Sequence, residues 1–357
     1  MAYTTIDDPS EYFTTLLYTG NASDNRNLTN DANAGDFQPD WIWIKERSST
    51  SSHMLHDSTR GASKAVISDT DAVEDADANR LQAIQSNGFQ IGTASTVNQN
   101  TITVVAWQWK ANGGTATATI NESGNNPAAV VQANTDAGFS IITYTGTGAA
   151  GTIAHGLGAV PGMIIVKNRG RQKDWCVYHH RTASDPETDK IELNLSAAVS
   201  DDAAVWNDTA PTSSVFTVGP SDQRTNADAD TYIAYVFAEK QGYSKFGSYE
   251  GNGNVDGTFV HLGFKPAWFM CKSIDTSSSD QGWNIFDTKR DGFNVDNDQL
   301  LANDSGAEVT TDRLDIVSNG VKMRNAGSQS NSAQTYIYLA FAESPFVSSK
   351  GVPTTAR

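Results

Sequence analysis

Three stretches of this chain repeat one another, and that repetition restricts the fold more than any other feature. Each stretch begins at a Tyr-x-Gly turn: Tyr18-Thr19-Gly20, Tyr144-Thr145-Gly146 and Tyr249-Glu250-Gly251. A proline follows (Pro39, Pro161, Pro266) and opens an apolar run, with a lysine six residues on: Lys45, Lys167 and Lys272. A second short run (53–57, 175–179, 283–287) is closed by Arg60, Arg181 and Arg290. Each copy ends in a long apolar segment, 101–110, 231–240 and 335–344. Pro39 to Pro161 is 122 residues and Pro161 to Pro266 is 105. Solenoid units run ~20–50 residues, whereas a small β-sandwich needs ~100. The spacing therefore predicts an all-β chain of three tandem β-sandwich domains, jelly-roll or lectin-like. They fall at 1–112, 134–241 and 242–346, with a linker at 113–133 and a tail at 347–357.

Local patterning supports strands. Ile233, Tyr235 and Phe237 alternate with Tyr232, Ala234, Val236 and Ala238, the period of two that a pleated strand imposes. Ile337, Leu339 and Phe341 alternate with Tyr336, Tyr338, Ala340 and Ala342 in the same way. Asn87-Gly88 and Asn319-Gly320 supply the left-handed pair of a tight hairpin. One helix is predicted over 72–85, on Ala78, Leu81, Ala83 and Ile84. Trp175 and Trp283 share strand faces with Val177 and Ile285 and are expected in the core. The first copy is richest in tryptophan (Trp41, Trp43, Trp107, Trp109), a surplus that either supplies an oligomer interface or fills one larger core.

Charge excludes whole classes of partner. With 25 Lys and Arg against 41 Asp and Glu, the net charge is −16. That opposes binding to nucleic acid or to an anionic membrane, both of which reward basic faces. The N-terminal residues carry no basic, apolar signal-peptide pattern, and no apolar run reaches the ~18 residues of a membrane span. Cys176 and Cys271 lie in apolar strand-like runs and are expected as free thiols of a chain made in a reducing cytosol.

No pattern of catalytic residues stands out. Asp69, Asp71, Glu74, Asp75 and Asp77 cluster, as do Asp291, Asp296 and Asp298, but neither group has a helix–loop–helix calcium pattern. Both read as solvated loops. The six histidines lack zinc spacing. His155 and His261 recur before their prolines and are expected to make turn hydrogen bonds. The loop 146–151 lacks the lysine of a phosphate loop and is expected as a hairpin. There is no Gly-x-Ser-x-Gly elbow. The recurring lysines and arginines are expected in ion pairs within a domain, or as stems over aromatic rings. No catalytic, cofactor-binding or metal residue is assigned.

Several segments are longer than chance would give. Residues 161–169 (PGMIIVKNR), 174–179 (DWCVYH), 232–239 (YIAYVFAE), 242–249 (GYSKFGSY) and 335–343 (TYIYLAFAE) resemble a repeat of structural proteins from marine tailed bacteriophages. The opening AYTTIDD and residues 106–111 (AWQWKA) resemble it too. The resemblance implies a non-enzymatic virion appendage, a tail fibre or receptor-binding adhesin that contacts the host surface. A capsid decoration or head-fibre protein is the alternative, and a glycan depolymerase the second. It implies synthesis in the host cytoplasm and action on the virion outside the cell. The implied partners are other virion proteins and a host surface glycan or protein, in a homotrimer, without nucleic acid or membrane insertion.

Overall fold

A computed structural model describes residues 3–31, 36–276, 281–290 and 294–353. The chain is all-β, with several antiparallel sheets. Each copy builds the same five-stranded core. In the first, the order is Phe13–Thr19, Thr103–Trp109, Trp41–Glu46, Met54–Asp57 and Lys64–Ile67. In the second it is Phe139–Thr145, Thr231–Phe237, Met163–Asn168, Cys176–His179 and Asp189–Glu192. In the third it is Ser244–Glu250, Thr335–Pro345, Phe264–Ser273, Asn284–Asp287 and Asp296–Leu301. The last strand of each copy thus sits second in this core, paired on both sides. It is apolar on both faces because both are covered by other parts of the protein.

The alternation divides two cores. On one face, the sheets of the first two copies pack on a smaller sheet of their own copy, while the eight-stranded sheet of the third curls so that its last strands, Gly320–Met323 and Phe259–His261, cover its first. Val104, Ala106, Ile42 and Ile44 meet Leu28, Leu81, Phe89 and Ile91 in the first. Tyr232, Ala234 and Val236 meet Ile153, Phe216 and Val218 in the second, and Tyr336 and Phe269 meet Val260, Val321 and Met323 in the third. The other faces of all three sheets converge on one common core. It contains Val105, Trp107 and Trp109, then Ile233, Tyr235 and Phe237, then Ile337, Leu339 and Phe341. Trp175 and Trp283 are fully buried there, as expected.

All four tryptophans of the first copy are buried in this common core, so they form no surface for another chain. Trp109 lies against Phe13, Trp41, Trp268 and Phe341, with centroids 4.5 to 5.6 Å away. Trp109→Ala is expected to cost about 3–5 kcal/mol. Because the core belongs to every copy, urea unfolding of the variant should remain one transition. Separate transitions for the three copies would contradict a shared core.

Other expectations need correction. No helix occupies 72–85: the strands Asp75–Ala76 and Leu81–Gln85 lie there, because Leu81 and Ile84 pack on the first copy's smaller core. Within 113–133, Ala118–Ile120 and the start of Ala129–Asn134 form strands added to the second sheet, and Val131 is buried. The loop 146–151 joins two different sheets and is not a hairpin. Of Gly88 and Gly320, the glycines of the two expected hairpins, only Gly88 takes a positive φ (113°). The shared reason for glycine is closeness: a Cβ would lie 2.1 Å from Leu28 O at Gly88 and 2.0 Å from Val260 O at Gly320.

The Tyr-x-Gly turn is a clasp. Tyr18, Tyr144 and Tyr249 donate to the carbonyls of Val97, Thr225 and Ser330 at 2.7, 2.6 and 2.7 Å. Buried Asn98, Asn226 and Asn331 accept from the backbone N–H after each glycine, at 3.0, 3.0 and 3.2 Å. These asparagines precede the last strand in every copy, the signal that would have identified them.

Candidate functional site

The lysine that recurs six residues after each proline ends a central strand and reaches into the next copy. Lys45 Nζ donates to Glu46 O at 2.7 Å and to Ser305 O of the third copy at 3.2 Å. Lys167 Nζ donates to Lys173 O at 2.6 Å and to Asp71 O of the first copy at 2.8 Å. Lys272 Nζ donates to Gln281 O at 3.0 Å and to Ser196 O of the second copy at 3.1 Å. Burial pushes each ammonium down to about 8. Nearby carboxylates oppose this: Asp69 first at Lys45, Asp71 at Lys167 and Glu192 at Lys272. The expected ion pair or aromatic stem is therefore replaced by a link between copies. Its direction is cyclic: first to third, third to second, second to first.

Two of the three joints carry a buried charged cluster. At the joint from second to first copy, Arg60 pairs with Asp57 at 2.5 Å, both side chains fully buried, and with Glu74 at 3.0 Å. Tyr235 of the second copy donates to Asp57 at 2.8 Å, and Arg169 holds Glu74 at 2.8 and 2.9 Å. At the joint from first to third copy, Arg290 pairs with Asp287 at 2.5 Å and Glu308 at 2.8 Å. Trp107 Nε1 donates to Asp287 at 2.9 Å, and Arg47 holds Glu308 at 2.7 Å.

The remaining joint has none of this. His179 and Thr182 occupy the Asp–Arg positions, Leu339 replaces the donor, and Ile274 with Val199 replaces the Arg–Glu pair. The backbone frame is unchanged: Glu74 N, Glu308 N and Val199 N donate to Arg169 O, Arg47 O and Ile274 O at 2.8, 2.7 and 3.0 Å. Arg181 is thus not equivalent to Arg60 and Arg290; it is exposed, and Thr182 holds their position.

Burial depresses the histidines of this region. His53 replaces the tryptophan of the other copies and accepts from Trp43 Nε1 at 2.8 Å. Where the other copies put Trp175 beside Ile165 and Trp283 beside Met270, the first puts His53 beside Trp43, an exchange of bulk across the strand pair. Burial, then Lys45, holds His53 well below the ordinary imidazole range. Burial pushes His56 down to about 4 and His179 to about 3.

The other candidates have structural partners. Glu74 is in the joint, and Asp69 accepts from His53 N at 2.8 Å. Asp298 pairs with Arg47 at 3.0 Å. Asp291 lies outside the described residues, and the side chain of Asp296 is not described. No group of three His, Cys, Asp or Glu that could hold a metal occurs among the described residues. His155 accepts the expected turn bond from Leu157 N at 3.3 Å, whereas His261 is exposed on a short strand. Cys176 and Cys271 are buried free thiols, their acidity weakened by burial.

A groove of about 340 Å³ runs between the first copy and the strand Ala129–Asn134, lined by Tyr12, Lys110, Asn112, Asn134, Thr135 and Asp136. Lys110 Nζ lies 5.3 Å from the Tyr12 ring centroid. The groove's wall is held by Asp40, which accepts from the backbone N–H of Ala111, Gly113 and Gly114 at 2.7 to 2.9 Å. Such a mixture of phenol, ammonium, carboxylate and amide suits a polar, hydroxyl-bearing ligand.

Residues 8–345 match the model of a family described as a domain of unknown function, DUF7483. No curated protein and no solved structure matches the chain.

Proposed function

The chain belongs to the DUF7483 family, and we propose that it is a non-enzymatic bacteriophage virion appendage, a tail-fibre or receptor-binding adhesin. In this reading, three β-sandwich-type copies form a rigid body that other virion proteins carry to the host surface, in a trimer of chains. The ligand is a host surface glycan or protein. One observation carries the reading. Charged groups are spent on holding copies together, at Lys45, Lys167, Lys272, Arg47 and Arg169. The loops and the Tyr12 groove are left for recognition, the usual division between scaffold and loops.

Fluorescently labelled full-length protein is expected to bind intact host cells. Lys110→Ala with Asp136→Ala should weaken that binding at least about tenfold, the loss of roughly 1.4 kcal/mol, at an unchanged thermal midpoint. Equal binding by the variant would remove the groove from the reading, and no binding by either protein would remove the adhesin. The longest described strand, Thr335–Pro345, has 11 residues, and the ring of copies offers no shaft. That favours a capsid decoration as the second reading, and antibody labelling of intact particles separates head from tail. Reproducible shortening of host polysaccharide by the purified protein would favour a depolymerase instead.

A further inference from the structure

Each joint has a giving side and a receiving side, and the two match in all three cases. Arg47 and Trp107 give to Glu308 and Asp287, both of which Arg290 pairs from its own copy; Arg169 and Tyr235 give to Glu74 and Asp57, both of which Arg60 pairs. Ile274 and Leu339 are apolar and stand at the positions opposite Val199, His179 and Thr182, and the side-chain bond here runs the other way, from His179 Nε2 to the Tyr338 carbonyl at 3.1 Å. The backbone bond from Val199 N to Ile274 O shows that these are the same positions. The substitutions are thus coordinated across the joint: the buried Asp–Arg pair occurs where the neighbour offers a hydrogen-bond donor, and is gone where the neighbour is leucine.

We infer that these matched sets are an address code that selects one of the two circular orders in which three tandem copies can close around a common core. In the observed order every joint is matched. In the reverse order, the third copy would set Ile274 and Leu339 against Glu74, Asp57 and Arg60. Asp57 would lose its phenol and Glu74 its second guanidinium. The first copy would set Arg47 against Val199, a guanidinium without a carboxylate. Only the second copy on the third would remain satisfied. Leaving Arg47 without a carboxylate and the Asp57–Arg60–Glu74 cluster short of partners is a cost that the observed order avoids, and penalising the alternative is how sequences choose between similar assemblies. The lysine–carbonyl links cannot make this choice, because all three are alike.

Two variants of equal composition test the code in the full chain. The first exchanges the giving sides of the second and third copies: Arg169→Ile, Tyr235→Leu, Ile274→Arg and Leu339→Tyr. It leaves two of the three joints mismatched in either order, and its thermal midpoint is expected to fall by about 10 °C or more. The second variant adds the exchange of receiving sides: Asp57→His, Arg60→Thr, Glu74→Val, His179→Asp, Thr182→Arg and Val199→Glu. All joints are matched again in the observed order, so it should recover more than half of the lost midpoint despite its ten substitutions. An unchanged midpoint in the first variant would overturn the inference. So would a second variant no more stable than the first, because the residues would then serve their own copies and not the pairing.

Discussion

Arg60→Ala is expected to destabilise the chain by about 3–5 kcal/mol, while Arg181→Ala, at what the sequence presents as the corresponding arginine, should change stability by no more than about 0.5 kcal/mol. The guanidinium of Arg60 is fully buried and bonds four groups: Asp57, Glu74, the Leu55 carbonyl and the Tyr235 hydroxyl. Truncation leaves the Asp57 carboxylate buried without its counter-charge, and the loss of compensation costs more than the pair contributes as a whole. It also removes one of the two guanidinium groups on Glu74, whose burial is outweighed by Arg169 and Arg60 so that its carboxyl stays below the usual range. Arg181 is exposed and makes no such cluster. Urea unfolding of both variants at neutral pH checks this. A loss at Arg60 no greater than at Arg181 would show that the cluster is not the anchor of its joint.

The arginine comparison also marks where the sequence stops being readable. Pro-to-Lys spacing and strand alternation revealed the repeat and which residues share a face, since both depend on geometry within one strand. They did not reveal what covers each face. Val105, Trp107 and Trp109 are apolar whether they meet a sheet of their own copy, another copy or another chain, so the tryptophans read equally well as an interface. The cluster at Arg60 was hidden by residue type. Asp57 and Asp287 are each followed three residues later by arginine, but His179 is followed three later by Thr182. Arg181, one position away, imitated the pattern. The lysines were seen and misassigned, because their acceptors are backbone carbonyls from distant loops (71, 196, 305), which carry no side-chain signal. The acidic run at 69–77 read as solvated for the converse reason: the arginine that takes Glu74 comes from 95 residues away.

Acidification is expected to unfold the protein well before its carboxylates titrate fully, with stability falling steeply from about pH 6.5 downward. The main cause is His53, His56 and His179, all buried and neutral, with His56 held down to about 4 and His179 to about 3; burial also lowers His155 and His180, which act in the same sense. An unfolded histidine titrates near 6.5. Above that value neither state is protonated and the histidines add no pH dependence. Below it the unfolded chain takes up protons that the folded chain refuses, so stability is lost as pH falls, until the folded groups themselves titrate. Three such protons give a slope of about 4 kcal/mol per pH unit near pH 5. Asp40, Glu46 and Asp69, whose carboxyls burial raises, act in the opposite sense as they titrate. They reduce the slope toward pH 4, while Glu74, held low, adds to it. Urea midpoints at pH 7, 6 and 5 measure the effect, and His179→Leu should lower the slope by about 1.4 kcal/mol per pH unit near pH 5 through the loss of one proton. A flat profile between pH 6.5 and 5 would mean that these imidazoles charge within the fold. The joints between copies would then have to admit water around His53 and His179, and the common core could not be as dry as its tryptophans require.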